Sequence, residues 1–168
     1  MPGADFRGHT YLARVEWSGS TGAGYRAYPR AHTAWTPPAT EGFDLSADPH
    51  FRGDADLPNP EQLLVLAASS CQLLSFLAVA ARGGVDVVSY EDDATGEMPD
   101  DLVPQRITRI VLRPRVRVAP HGPAGPHAGP VDTATVERML HEAHEQCYIA
   151  NSLTTEVVVE PRIEVAPG

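Results

Sequence analysis

The chain contains no lysine: all 13 of its basic residues are arginine, a bias read as genomic composition that carries no function. Positive charge is also in deficit, because 22 aspartates and glutamates leave a formal net charge of −9 over 168 residues. Nucleic-acid binding needs net or local positive charge, so no such partner is expected. Cysteine is scarce as well. The two present are too few for a secreted disulfide framework. No positively charged amino-terminal segment leads into an apolar stretch, so a cytoplasmic location is expected. In that reducing compartment two cysteines are either inert core thiols or working ones, and the choice between them decides the function.

What the chain does have is hydrophobicity, 42% of its residues, enough for one domain with a sizeable core. Residues 1–168 are read as that domain, with a loose tail at 1–8. Its densest stretch runs from Asn59 to Gly84, NPEQLLVLAASSCQLLSFLAVAARGG. Asn59 suits the cap of a helix, Pro60 its first position, and Gln62 the reciprocal place in a capping box. Arg82 favours the negative pole, and Gly83-Gly84 supplies a left-handed stop. The apolar residues between point all round the axis, which predicts a helix buried on every side or one in a bilayer. Ser69, Ser70, Gln72 and Ser75 at mid-length, the tight caps and the lack of a second such segment weigh against a membrane. The expectation is a central helix wrapped by the rest of the fold, with a second copy helping to cover it.

Around that helix, His9 to Trp17 alternates like a half-buried strand, and Ser18 to Gly24, containing GSTGAG, reads as a hairpin turn. Tyr25 to Trp35 offers one or two further short strands. Pro37 to Pro58, carrying HFRGD (His50 to Asp54), is a long polar connection of the kind that is functional or disordered. Val85 to Gly96 reads as a strand with an acidic end. Ile107 to Val118 sets Ile110, Leu112, Val116 and Val118 on one face, with Arg109, Arg113, Arg115 and Arg117 on the other. Those arginines are expected on a solvated sheet face near Glu91 and Asp93. Residues 119–130 are a proline-rich turn, Thr133 to about Ile149 a second helix, and Thr155 to Val165 a strand bent at Pro161. The order predicts an α+β fold with a mainly antiparallel sheet around the helices.

Both cysteines fall on predicted helices, Cys71 mid-length in the first and Cys147 near the end of the second. The stretch NPEQLLVLAASSC, the late QCYIANSL and the acidic SYEDDATGEM between them resemble the OsmC/Ohr family of thiol peroxidases. The resemblance runs from about Tyr11 onward. It implies an OsmC-like fold, mainly antiparallel sheets wrapped around two long central helices in an intertwined homodimer. It further implies reduction of organic hydroperoxides, with Cys71 peroxidatic and Cys147 resolving. The family's usual reductant is a dithiol, possibly on a lipoylated protein. Neither cofactor nor metal is called for. Tyr148 departs from the family pattern, standing where the OsmC branch has proline after the second cysteine; this touches substrate range and loop geometry.

A thiolate attacks peroxide, and an unperturbed thiol is only a few per cent ionised near neutrality. Mid-helix Cys71 is too far from the amino terminus to gain from the dipole, and burial would raise its pKa. A cation is therefore required, and arginine stays charged when partly buried. The resemblance points to Arg52 in HFRGD, then to Arg26, with Arg30 close behind it. Glu61 of the NPEQ motif is the family's acidic partner for that arginine. It lies ten positions before Cys71, about 15 Å along a straight helix. Either the helix breaks near Ser69-Ser70, or the arginine bridges the two, or Glu61 serves the other subunit's cysteine.

The expected substrates are alkyl or fatty-acid hydroperoxides, from the apolar neighbourhood of Leu63, Leu74, Phe76, Tyr148 and Ile149. His141, Glu142, His144 and Glu145 lack the i, i+4 histidine pair of a metalloprotease helix, and solvated helix residues are the better reading than a zinc site with Cys147. The alternative function is a hydrophobic-ligand carrier or structural dimer of the same fold, its cysteines inert core filler.

Overall fold

The computed structural model describes residues 7–122 and 129–167. Most of the expected tail and the middle of the proline-rich turn lie outside the described residues. The chain divides into two compact units, one ending at Pro60 and one beginning at Glu61.

In the first unit, β1 (Arg14–Glu16), β2 (His32–Trp35) and β3 (Phe43–Leu45) form an antiparallel sheet in that order. The GSTGAG turn is not a tight hairpin. The connection extends from Trp17 to Ala31 and is closed by aromatic and arginine contacts. The Trp17 indole N–H donates to the Pro29 carbonyl at 2.8 Å, and the Arg30 guanidinium stacks on Tyr25 and Tyr28. Those contacts, with Pro29, displace the strand expected from Tyr25. β1 is exposed rather than half-buried, with Val15 67% accessible.

The polar connection before Pro58 is ordered. The Ser46 N–H donates to the Pro58 carbonyl and the Ser46 hydroxyl accepts from the Asp54 N–H, both at 3.0 Å. A short 3-10 turn (Pro49–Phe51) follows Asp48, whose carboxylate accepts from the His50 N–H. Arg52 then takes a left-handed conformation, φ 68°, and a Cβ on Gly53 would overlap the Ala47 carbonyl oxygen. The RGD corner therefore requires its glycine.

The second unit is built on α1 (Pro60–Arg82), an unbroken helix of 23 residues. Its stop is a Schellman motif: Gly84 has φ 71°, the Val85 N–H reaches the Ala80 carbonyl at 2.9 Å, and the Gly84 N–H reaches that of Ala81. Two sheets pack along its length. One has the order β4 (Val87–Asp92), β7 (Pro114–Val118), β9 (Arg162–Val165); the other has β5 (Thr95–Glu97), β6 (Arg109–Leu112), β8 (Glu156–Val159). β4–β7 and β5–β6 are antiparallel, whereas β6–β8 and β7–β9 are parallel. Three runs of chain thus cross from one sheet to the other, at Asp93-Ala94, Arg113 and Glu160-Pro161. What reads as one alternating strand over 107–118 is two strands, because Pro114 has no N–H for a ladder and the Arg113 N–H goes to Asp92.

The carboxyl half of α1 contributes Phe76, Val79 and Ala80 to a core with Val116, Val118 and three residues of α2 (Thr133–Glu145), Val136, Leu140 and Ala143. The amino half places Ala68 among Ile107, Ile110 and Leu112. Asp132 caps α2, accepting from the Thr135 N–H at 2.7 Å; these bonds hold its carboxyl below the usual range. The arginine row is matched by carboxylates: Arg115 by Glu91 and Asp93, as expected, and Arg109, Arg113 and Arg117 by Glu156, Glu160 and Glu164.

α1 is long and apolar enough to cross a membrane. It is not covered all round, however. The sheets and α2 bury a single stripe, Ala68, Gln72, Phe76, Val79 and Ala80. Leu66 and Leu74, turned away from them, remain 61% and 64% exposed.

One carboxylate ties α1 to the strand crossover: Asp92 accepts from the Ser69 hydroxyl at 2.5 Å and from the Arg113 N–H at 2.6 Å. Two charge-assisted bonds of this kind are worth about 1.5–3 kcal/mol each before compensation. Asp92→Ala should lower the urea midpoint clearly, whereas Asp93→Ala, which removes a solvent-exposed partner of Arg115, should leave it nearly in place.

Candidate functional site

The helical spacing of about 100° per residue sets Cys71, Leu74, Ser75, Ala78 and Arg82 along one flank of α1. This flank borders the buried stripe on one side and the exposed leucines on the other. Cys71 sits where α1 passes from one sheet to the other, and it is half-buried.

Cys147 arrives from a different place than its helical pattern suggests. α2 ends at Glu145 with Gln146 as its cap, so Cys147 lies in the turn beyond, before a short 3-10 segment (Ala150–Ser152). It still continues the buried line Val136, Leu140, Ala143 and is 1% exposed. Its own N–H donates to the His144 carbonyl at 3.1 Å, and the Ala150 N–H points at its sulfur at 3.5 Å. The thiols of Cys71 and Cys147 are both free, and they are near enough for Cys71 to bear on the ionisation of Cys147. Burial pushes the Cys147 thiol up, and the neighbouring Cys71 adds to this, while the amides of Ala150 and Ile149 partly oppose it.

Beside the thiols is a groove of about 460 Å³, lined by Cys71, Leu74, Ser75, Ala78 and Arg82 from α1 and by Gln146, Tyr148 and Asn151 from the turn after α2. Of the apolar neighbours expected from the sequence, Leu74 and Tyr148 line it. Phe76 and Ile149 instead turn into the two cores, and Leu63 is not among its walls. Arg82, Ser75, Gln146 and Asn151 were not anticipated. For the α1 pair a signal exists: positions 71, 75, 78 and 82 repeat at helical spacing.

α1 is continuous from Pro60 to Arg82, which removes the idea of a break at Ser69-Ser70. Glu61 therefore stays about 15 Å from Cys71 along the axis. Arg26 and Arg52, in the first unit, are exposed. Arg30 is committed locally, its guanidinium bonded to the carbonyls of Tyr25 and Tyr28 as well as stacked on their rings.

A larger groove, about 800 Å³, runs between α2 and β8 past His141 and His144 and contains no cysteine. His141 faces Glu145 at 3.6 Å. Among the described residues no cluster of three or more His, Cys, Asp or Glu side chains is placed to hold a metal.

A raised Cys147 pKa means less thiolate at neutral pH than an ordinary cysteine carries. In the reduced protein, iodoacetamide should alkylate Cys147 slowly at pH 7, with the rate climbing only above the ordinary thiol range. Rapid labelling at pH 7, read peptide by peptide by mass spectrometry, would contradict the burial described.

Comparison with known proteins bears on this arrangement. The family model for OsmC-like proteins matches residues 53–162, a span that contains both cysteines. An OsmC-like protein of unknown function from Vibrio cholerae is 34% identical, with a TM-score of 0.77 over 92% of this chain and 99% of its own. More distant structures share the fold. The organic hydroperoxide resistance protein OsmC from Legionella pneumophila is 16% identical, with a TM-score of 0.62 over 94% of this chain and 98% of its own. The organic hydroperoxide resistance protein OhrB of Bacillus subtilis is also 16% identical, with a TM-score of 0.58 over 93% and 98%. No curated protein sequence matches. With its mixed α+β architecture of antiparallel-rich sheets and two helices, the chain belongs to the OsmC-like protein family.

Proposed function

We propose that the chain is a cysteine-based thiol peroxidase that reduces organic hydroperoxides to alcohols. The observation that carries this reading is that two free thiols, 76 positions apart in sequence, are neighbours, the first of them lining a largely apolar groove. Inert core filler does not require a partner sulfur, nor a groove leading to it.

In the proposed cycle the Cys71 thiolate attacks the terminal peroxide oxygen. The O–O bond breaks, the alkoxide takes a proton and leaves as the alcohol, and Cys71 becomes a sulfenic acid. The Cys147 sulfur then attacks the Cys71 sulfur, and the S–O bond breaks. The departing hydroxide combines with the Cys147 proton as water. An external dithiol, such as a lipoyl group, returns the disulfide to two thiols by exchange. When the dithiol attacks, the Ala150 amide at the Cys147 sulfur favours departure of that sulfur as thiolate.

Activation of Cys71 is assigned to a guanidinium, Arg52 first and Arg26 second, with Glu61 as its orienting carboxylate. Arg52 is held by an unusual left-handed backbone next to an obligatory glycine, a conformation that needs a reason to persist. We further assign the working form to a homodimer in the cytoplasm. A second copy would cover Leu66 and Leu77, part of the apolar face that α1 leaves exposed. Glu61, remote from Cys71 on its own helix, would then be free to serve the partner's site.

Cys71→Ser should abolish consumption of cumene hydroperoxide in a coupled dithiol assay. Cys147→Ser should retain one fast turnover and then stall with a sulfenic acid trapped on Cys71 by dimedone. Unchanged steady turnover in Cys71→Ser would end the proposal. Arg52→Ala should slow the first step more than Arg26→Ala, and the reverse order would transfer the activating role to Arg26.

A further inference from the structure

The groove at Cys71 has two chemically different ends. Cys71 marks one of them. Leu74, Ser75 and Ala78 lie between the ends on α1, Tyr148 lines the facing wall, and Arg82 marks the other end, three helical turns and about 16 Å away along the axis. No acidic side chain lines this groove. The Arg82 guanidinium touches a neutral partner, donating to the Gln146 Oε1 at 3.3 Å, and it is exposed. Among the described residues no carboxylate pairs with it. This sets it apart from Arg109, Arg113, Arg115 and Arg117, each matched by an acid on a neighbouring strand.

What distinguishes Arg82 is its place: a cation with no acid beside it, at the end of an apolar groove that begins at a thiol. Complementing the helix dipole would explain a cation at the last turn of α1. It would not explain a groove that joins that cation to the thiol without an acid in between.

We propose that Arg82 binds the carboxylate of an amphipathic hydroperoxide whose peroxide group lies at Cys71 and whose chain runs over Leu74, Ala78 and Tyr148. This rests on the thiol-peroxidase reading above and adds a specificity-determining residue to it. A guanidinium presents five donors in a planar fork, so one engaged with Gln146 leaves the others for a carboxylate. The groove thereby favours a long-chain hydroperoxy acid over its own methyl ester, which has the same apolar chain and the same reactive group.

The test compares a long-chain hydroperoxy fatty acid with its methyl ester in the full-length protein and in Arg82→Gln and Arg82→Lys. Turnover is measured for both compounds. Equilibrium binding is measured in parallel for the corresponding hydroxy acid and hydroxy ester, which cannot be turned over. Wild type should prefer acid to ester in KM and in binding. Arg82→Gln should reduce that preference about tenfold, the scale of one charge-assisted bond at a partly exposed site, and Arg82→Lys should keep most of it. If hydroperoxides are consumed but the preference is absent, or survives intact in Arg82→Gln, the assignment of Arg82 is overturned while the peroxidase reading stands. If no hydroperoxide is consumed, yet the hydroxy acid binds with an acid preference that Arg82→Gln removes, the peroxidase reading falls and the role of Arg82 stands.

Discussion

The Asp92 carboxylate ties the second unit together close to Cys71. On one oxygen it receives the Ser69 hydroxyl of α1; on the other it receives the Arg113 N–H, at the point where a strand leaves one sheet for the other. Without that acceptor the Arg113 amide would lack a ladder partner, since Pro114 begins the next strand. The same carboxylate therefore permits the crossover and fixes the height of α1 against it. Cys71 stands two positions beyond Ser69, so its place between the two sheets follows from this tie.

The rest of the site follows from how α1 distributes its hydrophobic residues. A helix apolar on every face cannot bury all of them against two small sheets and a 13-residue helix. It buries one stripe, and Gln72 within that stripe donates to the Leu140 carbonyl at 3.0 Å, joining α1 to α2. The flank next to the stripe is left as the wall of a groove. The turn after α2 supplies the opposite wall, with Cys147 buried in the same turn. A half-buried thiol beside a fully buried one suits the proposed cycle, in which the first meets the substrate and the second does not.

Much of this was legible where local chemistry decides the outcome. Pro60 after Asn59 and the Gly83-Gly84 pair marked the ends of α1 because starts and stops of helices are written in adjacent residues. The line Val136, Leu140, Ala143, Cys147 identified a buried face correctly even though the helix ends two residues before the cysteine, because the turn beyond keeps that side chain pointing inward. The split of 107–118 into two strands was not legible: it depends on a carboxylate 21 positions away meeting the Arg113 amide. Nor were the parallel pairings of β8 and β9, which leave no mark on alternation. Phe76 and Ile149 looked like walls of the thiol pocket, but periodicity cannot say which of several apolar faces meets a sheet. Arg82 was read only as a complement to the helix dipole, because one feature of the sequence already accounted for it.

Mapping the disulfide after a single equivalent of organic hydroperoxide tests the central claim most directly. The account predicts that intact mass falls by two hydrogens and that peptides containing Cys71 and Cys147 are recovered joined to one another. Thiols left unmodified, or a Cys71 carried on to sulfinic acid with Cys147 still free, would contradict it.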